Sequence, residues 1–152
     1  MAQSQTYSFR NTSGSFTNPL LPAPIVFAGQ IGMGSFIITM ATERTVHDVA
    51  ADGTIMPSYI AGNNGAFDVE MQQTSILHQQ FIDLYNALVI AADGGDPSNW
   101  AASGATLRNT TVGNQHILGG VSFAKRPDKP YHAQGSKITW HLMACDSVET
   151  TA

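Results

Sequence analysis

The densest group of side chains able to do chemistry lies in "HDVAADGTIMP", residues 47–57, which sets His47, Asp48 and Asp52 within six positions. An imidazole and two carboxylates could hold a divalent metal or form an acid–base pair, if the backbone aligned them. Asp48 and Asp52 stand at i and i+4, a spacing that converges only on a helix face. No helical pattern surrounds them. "AADG" is turn chemistry instead, with Asp52-Gly53 between two runs of β character. The stretch reads as a tight turn presenting polar groups to a neighbour.

Other candidates for chemistry are thinner. His47, His78, His116, His132 and His141 are scattered, with no pair at a tight ligand spacing. A jelly-roll metal enzyme could still gather His47, Asp48 and His141 from separate strands, so a small metal-dependent β-barrel enzyme is one rival reading. Cys145 lies on a strand face beside apolar neighbours, where a buried, inert thiol is expected. "GQIGMG" (Gly29, Gly32, Gly34) has the wrong order for a dinucleotide loop and leads into strand, so a glycine-rich turn is expected. The sequence contains no Gly-x-Ser-x-Gly elbow, no phosphate loop, no His-Glu-x-x-His and no Cys-x-x-Cys. No catalytic residue, metal ligand or cofactor is assigned. A second rival is a carbohydrate-binding sandwich with Trp100 and Trp140 as its platform, although Trp140 alternates with apolar residues and reads as core.

These residues are carried by short strands and one helix. "TYSFRNTSGSF" reads as a strand, "TNPLLPAP" as a connector that its prolines bar from helix and central strand, and "IVFAGQIGMGS" as a second extended segment. "SFIITMA" and "TIMPSYIAG" follow as strands, Pro57 marking an edge or a bulge, and "GNNG", Gly62 to Gly65, reads as a hairpin turn. "AFDVEMQQ" alternates: Phe67, Val69 and Met71 point one way, Asp68, Glu70 and Gln72 the other. The helix is "TSILHQQFIDLYNALVIAADGG". Ser75 caps it, Gly94 takes the left-handed position after it, and Leu77, Phe81, Leu84 and Leu88 form its apolar stripe, widened by Tyr85. "DPSNWAASG" is a loop, and "ATLRNTTV", "HILGGVSFA" and "SKITWHLMACDSV" are strands. The expected fold is mainly β: one domain over residues 1–152, two packed antiparallel sheets forming a sandwich or barrel, and one flanking α-helix.

Composition points away from a solitary molecule. Of the 152 residues, 43% are apolar but only 12% are charged, about half the usual ~25%. A chain so poor in charge can cover its surface with copies of itself; the alternative is solvation by its many Ser, Thr, Asn and Gln residues. Net charge is −4 and uneven: residues 1–124 carry three basic against eight acidic side chains, residues 125–152 four against three. Such a balance suits neither a DNA-gripping surface nor an anionic membrane, and "KRPDKP" reads as a solvated loop. With one cysteine, a polar "MAQSQTYSFR" opening and no apolar run longer than "ALVIAA", the chain is expected to be cytosolic, with no signal peptide and no membrane anchor.

The order of features also resembles a known family. "YSF", then "GMGSFIITMATERTVHDVAADGTIMPSYIAGNNGAFDVEMQQTS", then "ILHQQFIDLYN" is similar to the tail tube proteins of contractile-tailed bacteriophages. "ADGTIM", residues 51–56, and "VEMQQTSILHQQFID" carry the likeness most specifically. It covers residues 7–90, and the remainder agrees only in general β character. "TNPLLPAPIVFAGQ" stands where a shorter glycine–proline turn is expected. The resemblance implies two packed β-sheets with a flanking helix, and hexameric rings stacked helically into a tube inside a contractile sheath. Its expected partners are other copies of itself, the tail sheath protein, baseplate and tail terminator proteins, and, transiently in the lumen, the tape measure protein and genomic DNA. The expected location is the virion tail, the chain being made in the bacterial host cytoplasm. A phage-derived contractile bacteriocin or secretion device would use the same kind of tube. Neither enzyme activity nor a cofactor is implied. Within this frame Asp68, Glu70 and Gln72 are candidates to face the lumen, and the 41–53 segment, through Glu43, Arg44, His47, Asp48 and Asp52, is the candidate ring-to-ring contact.

Overall fold

Period-two alternation builds one large antiparallel sheet and leaves one hairpin apart from it. The computed structural model describes residues 6–28 and 32–151. Strands β1 (Thr12–Thr17), β2 (Ile25–Ala28), β3 (Met33–Met40), β6 (Gly65–Gln72), β7 (Ser103–Asn109), β8 (Asn114–Lys125) and β9 (Lys137–Thr151) pair in the order β2-β1-β7-β8-β9-β6-β3. β4 (Thr45–Val49) and β5 (Ile55–Tyr59) pair only with each other, and α1 (Ile76–Asp93) is the helix. The fold is thus mainly β with two antiparallel sheets and one helix, the larger sheet curled into a half-barrel. Residues 29–31, the start of the expected glycine-rich turn, lie outside the described residues.

The curl follows from where the aromatic side chains meet. β6 buries Phe67, Val69 and Met71, in register with Leu142, Trp140 and Ile138 of β9. The helix lays Leu77, Phe81, Leu84 and Leu88 on this surface, all buried. Phe81 is the hub, with ring centroids 5.4 Å from Phe16, 5.6 Å from Trp140 and 5.8 Å from Phe123. Phe27 on one edge strand meets Phe36 on the other at 5.7 Å, so the sheet's two edges bend toward each other around the helix. Each of these buried side chains contributes roughly 1.5–3 kcal/mol. Gly14 permits the tightest crossing: a Cβ there would fall 2.0 Å from the Thr106 carbonyl oxygen on β7.

Four local expectations are corrected. "GNNG" is no hairpin turn, because β4 and β5 close on each other and leave β6 to pair with β3, whose Phe36 and Ile38 oppose Val69 and Phe67. "YSFRN" includes a 3-10 turn, Phe9–Asn11, and the first strand begins only at Thr12. Hydrogen bonding runs one residue further than expected at the helix end. Gly94 still donates to the Ile90 carbonyl, Gly95 takes the left-handed position at φ +98°, and Asp96 donates to Ala91. Cys145 is exposed, not buried, since it follows buried Ala144 onto the opposite face of β9. The expected helix cap is present, with the Leu77 amide donating to Ser75 Oγ at 3.2 Å.

One polar pair sits inside the core. Trp140 Nε1–H donates to His78 Nδ1 at 3.0 Å, and both residues are buried. That bond requires the neutral tautomer with its hydrogen on Nε2, because an imidazolium would set N–H against N–H. Burial, and secondarily the charge of Lys129, hold His78 below its ordinary pKa of 6.5. The unfolded chain therefore takes up this proton near 6.5 while the folded chain resists it. The stability involved is complete above that pH and is lost as pH falls through the lowered folded value. A His78→Gln variant keeps an acceptor for the indole and removes the titration. Thermal melts from pH 7.5 to 5 should then show a shallower acid-side fall in Tm for the variant than for wild type. An equal slope would remove His78 from this role.

Candidate assembly interface

The β4–β5 hairpin grows from ordinary local rules. Two β-branched runs flank Asp52-Gly53, Gly53 adopts φ +88°, and the Thr54 amide donates to Asp52 Oδ1 at 3.0 Å to fix the turn. Thr45 pairs with Tyr59, His47 with Pro57 and Val49 with Ile55, which places these six on one face. Val46, Asp48, Met56 and Ser58 occupy the other. At the base, Arg44 Nη1 donates to the Tyr59 hydroxyl at 2.9 Å, and the Ile60 amide donates to the Arg44 carbonyl at 2.9 Å.

Nothing within the described residues covers it. Every residue of both strands is exposed, including Tyr59 at 74%, Val49 at 63% and Met56 at 58%. A two-stranded hairpin with both faces wet is marginal in water. Contiguous exposed apolar surface of this kind marks a place where another molecule sits. All five residues singled out from the sequence, Glu43, Arg44, His47, Asp48 and Asp52, fall on this hairpin or at its base. His47 and Asp48 point to opposite faces, and Asp52 lies at the tip. The larger contributors, Val49, Ile55, Met56 and Tyr59, were overlooked, although the β-branched and aromatic run on each side of the turn carried the signal.

The second surface is the face of the large sheet turned away from α1. Asp68 and Glu70 alternate with the buried residues of β6 and so lie on this open face, with Thr139 and His141 of β9 in register beside them. Neither acid is free. Asp68 Oδ1 lies 2.6 Å from His141 Nδ1, and Glu70 Oε1 lies 3.5 Å from Lys137 Nζ. Gln72 is exposed at the end of the strand, opposite Lys137. The face therefore sets His141 and Lys137 of β9 against the two acids of β6, and is not a bare acidic strip.

The rival sites do not assemble. His47 and Asp48 stand on the separate hairpin while His141 is engaged with Asp68, and no cluster of three His, Cys, Asp or Glu occurs among the described residues. Trp140 is fully buried, and Trp100 packs half-buried on Tyr85 with centroids 6.3 Å apart, so no exposed aromatic platform exists between them. No helix among the described residues is long and apolar enough to cross a membrane.

The fold recurs in chains of known assemblies. In fold, the chain is similar to one in the 6-fold symmetrised baseplate of the anti-feeding prophage, with TM-score 0.62 and 12% identity over 99% of this chain and 98% of that one. It is likewise similar to a chain in the sheath/tube terminator of the extracellular contractile injection system PVC, with TM-score 0.58 and 9% identity over 99% and 100% of the two chains. The PVC sheath-tube complex contains another, with TM-score 0.57 and 8% identity over 97% and 93%. No curated protein matches it significantly in sequence. The family model of the bacteriophage PhiTE tail tube protein, however, matches residues 4–150, well past the point where the resemblance in the sequence faded. With its half-barrel, single helix and projecting hairpin, the chain belongs to the PhiTE tail tube protein family.

Proposed function

We propose that this tail tube protein forms hexameric rings that stack helically into the inner tube of a contractile phage tail. The observation that carries the reading is the β4–β5 hairpin, which has two wet faces and several exposed apolar side chains and needs a neighbour to cover them. Rings arise when the large sheets of adjacent copies join at their edge strands, which removes edges that would otherwise invite aggregation. Stacking then uses the hairpin. The 6-fold symmetrised baseplate named for one structural neighbour supports the ring and a baseplate partner, and the sheath/tube terminator and sheath-tube assemblies named for the other two support sheath and terminator as partners.

In this arrangement the open face, with Asp68, Glu70 and Gln72, lines the bore, and α1 faces outward to the sheath. On that face Asp68 and Glu70 stand beside His141 and Lys137 with no excess of cations among them, which suits passage of the tape measure protein and then DNA. A cationic wall would hold phosphate and retard it. The tube serves as a conduit and as the element driven through the host envelope, with no catalytic step and no cofactor. The same structure would serve a phage-derived contractile bacteriocin or secretion device, a reading favoured by the injection-system neighbours. Genes for capsid and packaging beside this one decide for a phage.

Two experiments address these roles. Replacing residues 43–60 with a short Gly-Ser turn should leave rings visible by negative-stain microscopy and abolish long tubes; tubes of ordinary length would refute the stacking role. Converting both Asp68 and Glu70 to Lys breaks only half-exposed pairs, so stability should change by less than about 1 kcal/mol. The two new lysines gathered beside Lys137 should lower infectivity ~tenfold or more while particles still assemble. Undiminished infectivity would exclude these residues from the bore.

A further inference from the structure

We propose that the acidic tip of one copy's hairpin seats in a basic cleft at the far end of the next copy, formed by the β8–β9 connection and the first turn of α1. The proposal rests on the stacking role above and supplies the surface that receives the hairpin.

Topology places the two features at opposite poles. The hairpin leaves the large sheet between Met40 and Gly65, which are partners in the β3–β6 register. β6 ends at Gln72, whose partner Lys137 begins β9. The connection over residues 126–136 is thus separated from the hairpin's root by the whole length of β6, about 25 Å for an eight-residue strand. Gln73 ties the connection to the helix start. Its amide donates to the Ser136 carbonyl at 3.1 Å, and its side-chain Nε2 donates to the Pro130 carbonyl at 3.0 Å. A copy stacked head to tail brings the tip of one pole to the cleft of the other.

Charge fits the same pairing. Over residues 41–60 there are three acids, Glu43, Asp48 and Asp52, against Arg44. Over residues 125–137 there are four cations, Lys125, Arg126, Lys129 and Lys137, against Asp128. Among the described residues only Lys137 of those four lies within ion-pair reach of a carboxylate. Asp52 is held by its bond from Thr54, which also keeps its carboxyl below the usual range and hence ionised at neutral pH.

The cleft, of about 420 Å³, is lined by His78, Arg126, Asp128, Lys129 and Tyr131 among others. His78 is the telling member. Its Nδ1 accepts from Trp140, so its Nε2 carries the hydrogen, and that buried donor has no acceptor among the described residues. A buried donor left unmet is costly. An incoming carboxylate would give it an acceptor and at the same time neutralise Arg126 and Lys129. No uncharged or cationic segment would do both.

A charge exchange tests the pairing. Asp48→Lys with Asp52→Lys, and separately Arg126→Glu with Lys129→Glu, should each cut the sedimentable tube yield by ~tenfold at low salt, because like charges then meet. All four substitutions together should restore it. A fourfold variant no better than the pairs, or pairs that assemble as wild type does, would overturn the contact. To guard against misfolding, Asp52→Cys with Lys129→Cys in a Cys145→Ser background should give intermolecular disulfides in tubes and none in dispersed subunits. Tubes without that crosslink also overturn it. If removal of the hairpin abolishes tubes yet the crosslink fails to form, stacking stands and only this partner surface falls; if hairpin removal leaves tubes intact, both fall.

Discussion

A hairpin exposed on both faces is the constraint around which this molecule is organised. Residues 45–59 make their strand hydrogen bonds across a single ladder, leave both outer edges to solvent, and bury nothing in return. The entropy of ordering them, on the order of 1–2 kcal/mol per residue, is not offset by any packing within the chain. A short turn from β3 to β6 would serve the half-barrel equally well, since those strands already pair in register from Ser35 and Glu70 through Met40 and Gly65. The insertion is therefore explained by what lies outside the monomer. In the proposed assembly the low charge of the chain has the same origin, because a surface covered by identical copies has less need of a solvating coat.

The half-barrel provides the rigid mount. Phe16, Phe27, Phe81, Phe123 and Trp140 interlock at ring distances of 5.3–6.4 Å, so the helix is packed against β1, β2, β8 and β9 through one aromatic cluster. The open face has a different character. There Glu70 meets Lys137 and Asp68 meets His141 across β6 and β9, contacts that contribute little stability at such exposure. Apolar burial thus fixes shape on one side of the sheet, while polar side chains such as Asp68, Glu70, Thr139 and His141 occupy the other.

Much of this was legible in the residues. Strict alternation in "AFDVEMQQ" and "SKITWHLMA", and the stripe of Leu77, Phe81, Leu84 and Leu88, settled which faces are buried, because a one-residue error would invert every side chain. Long-range pairing was less visible. "GNNG" has the chemistry of a turn, yet whether β6 takes β5 or β3 as its partner is decided by Phe36 and Ile38 reaching the core, which is a tertiary matter. Cys145 was misjudged since burial on β9 gives out just after Ala144. His78 looked like one more scattered polar residue, and only its meeting with Trp140, sixty-two positions away, revealed it as a core member. At the assembly surface the polar residues drew attention first, whereas the apolar neighbours between them present most of the surface to be covered.

The central claim is that the hairpin becomes stably ordered only against another copy. Hydrogen–deuterium exchange measures this directly, by comparing backbone amides of residues 45–59 in dispersed subunits and in assembled tubes. Rapid exchange in the subunit, with β6 and β9 well protected, and strong protection in the tube is the expected pattern. Equal protection of the hairpin in both states would contradict the claim, because the chain would then complete this element by itself and need no neighbour to order it.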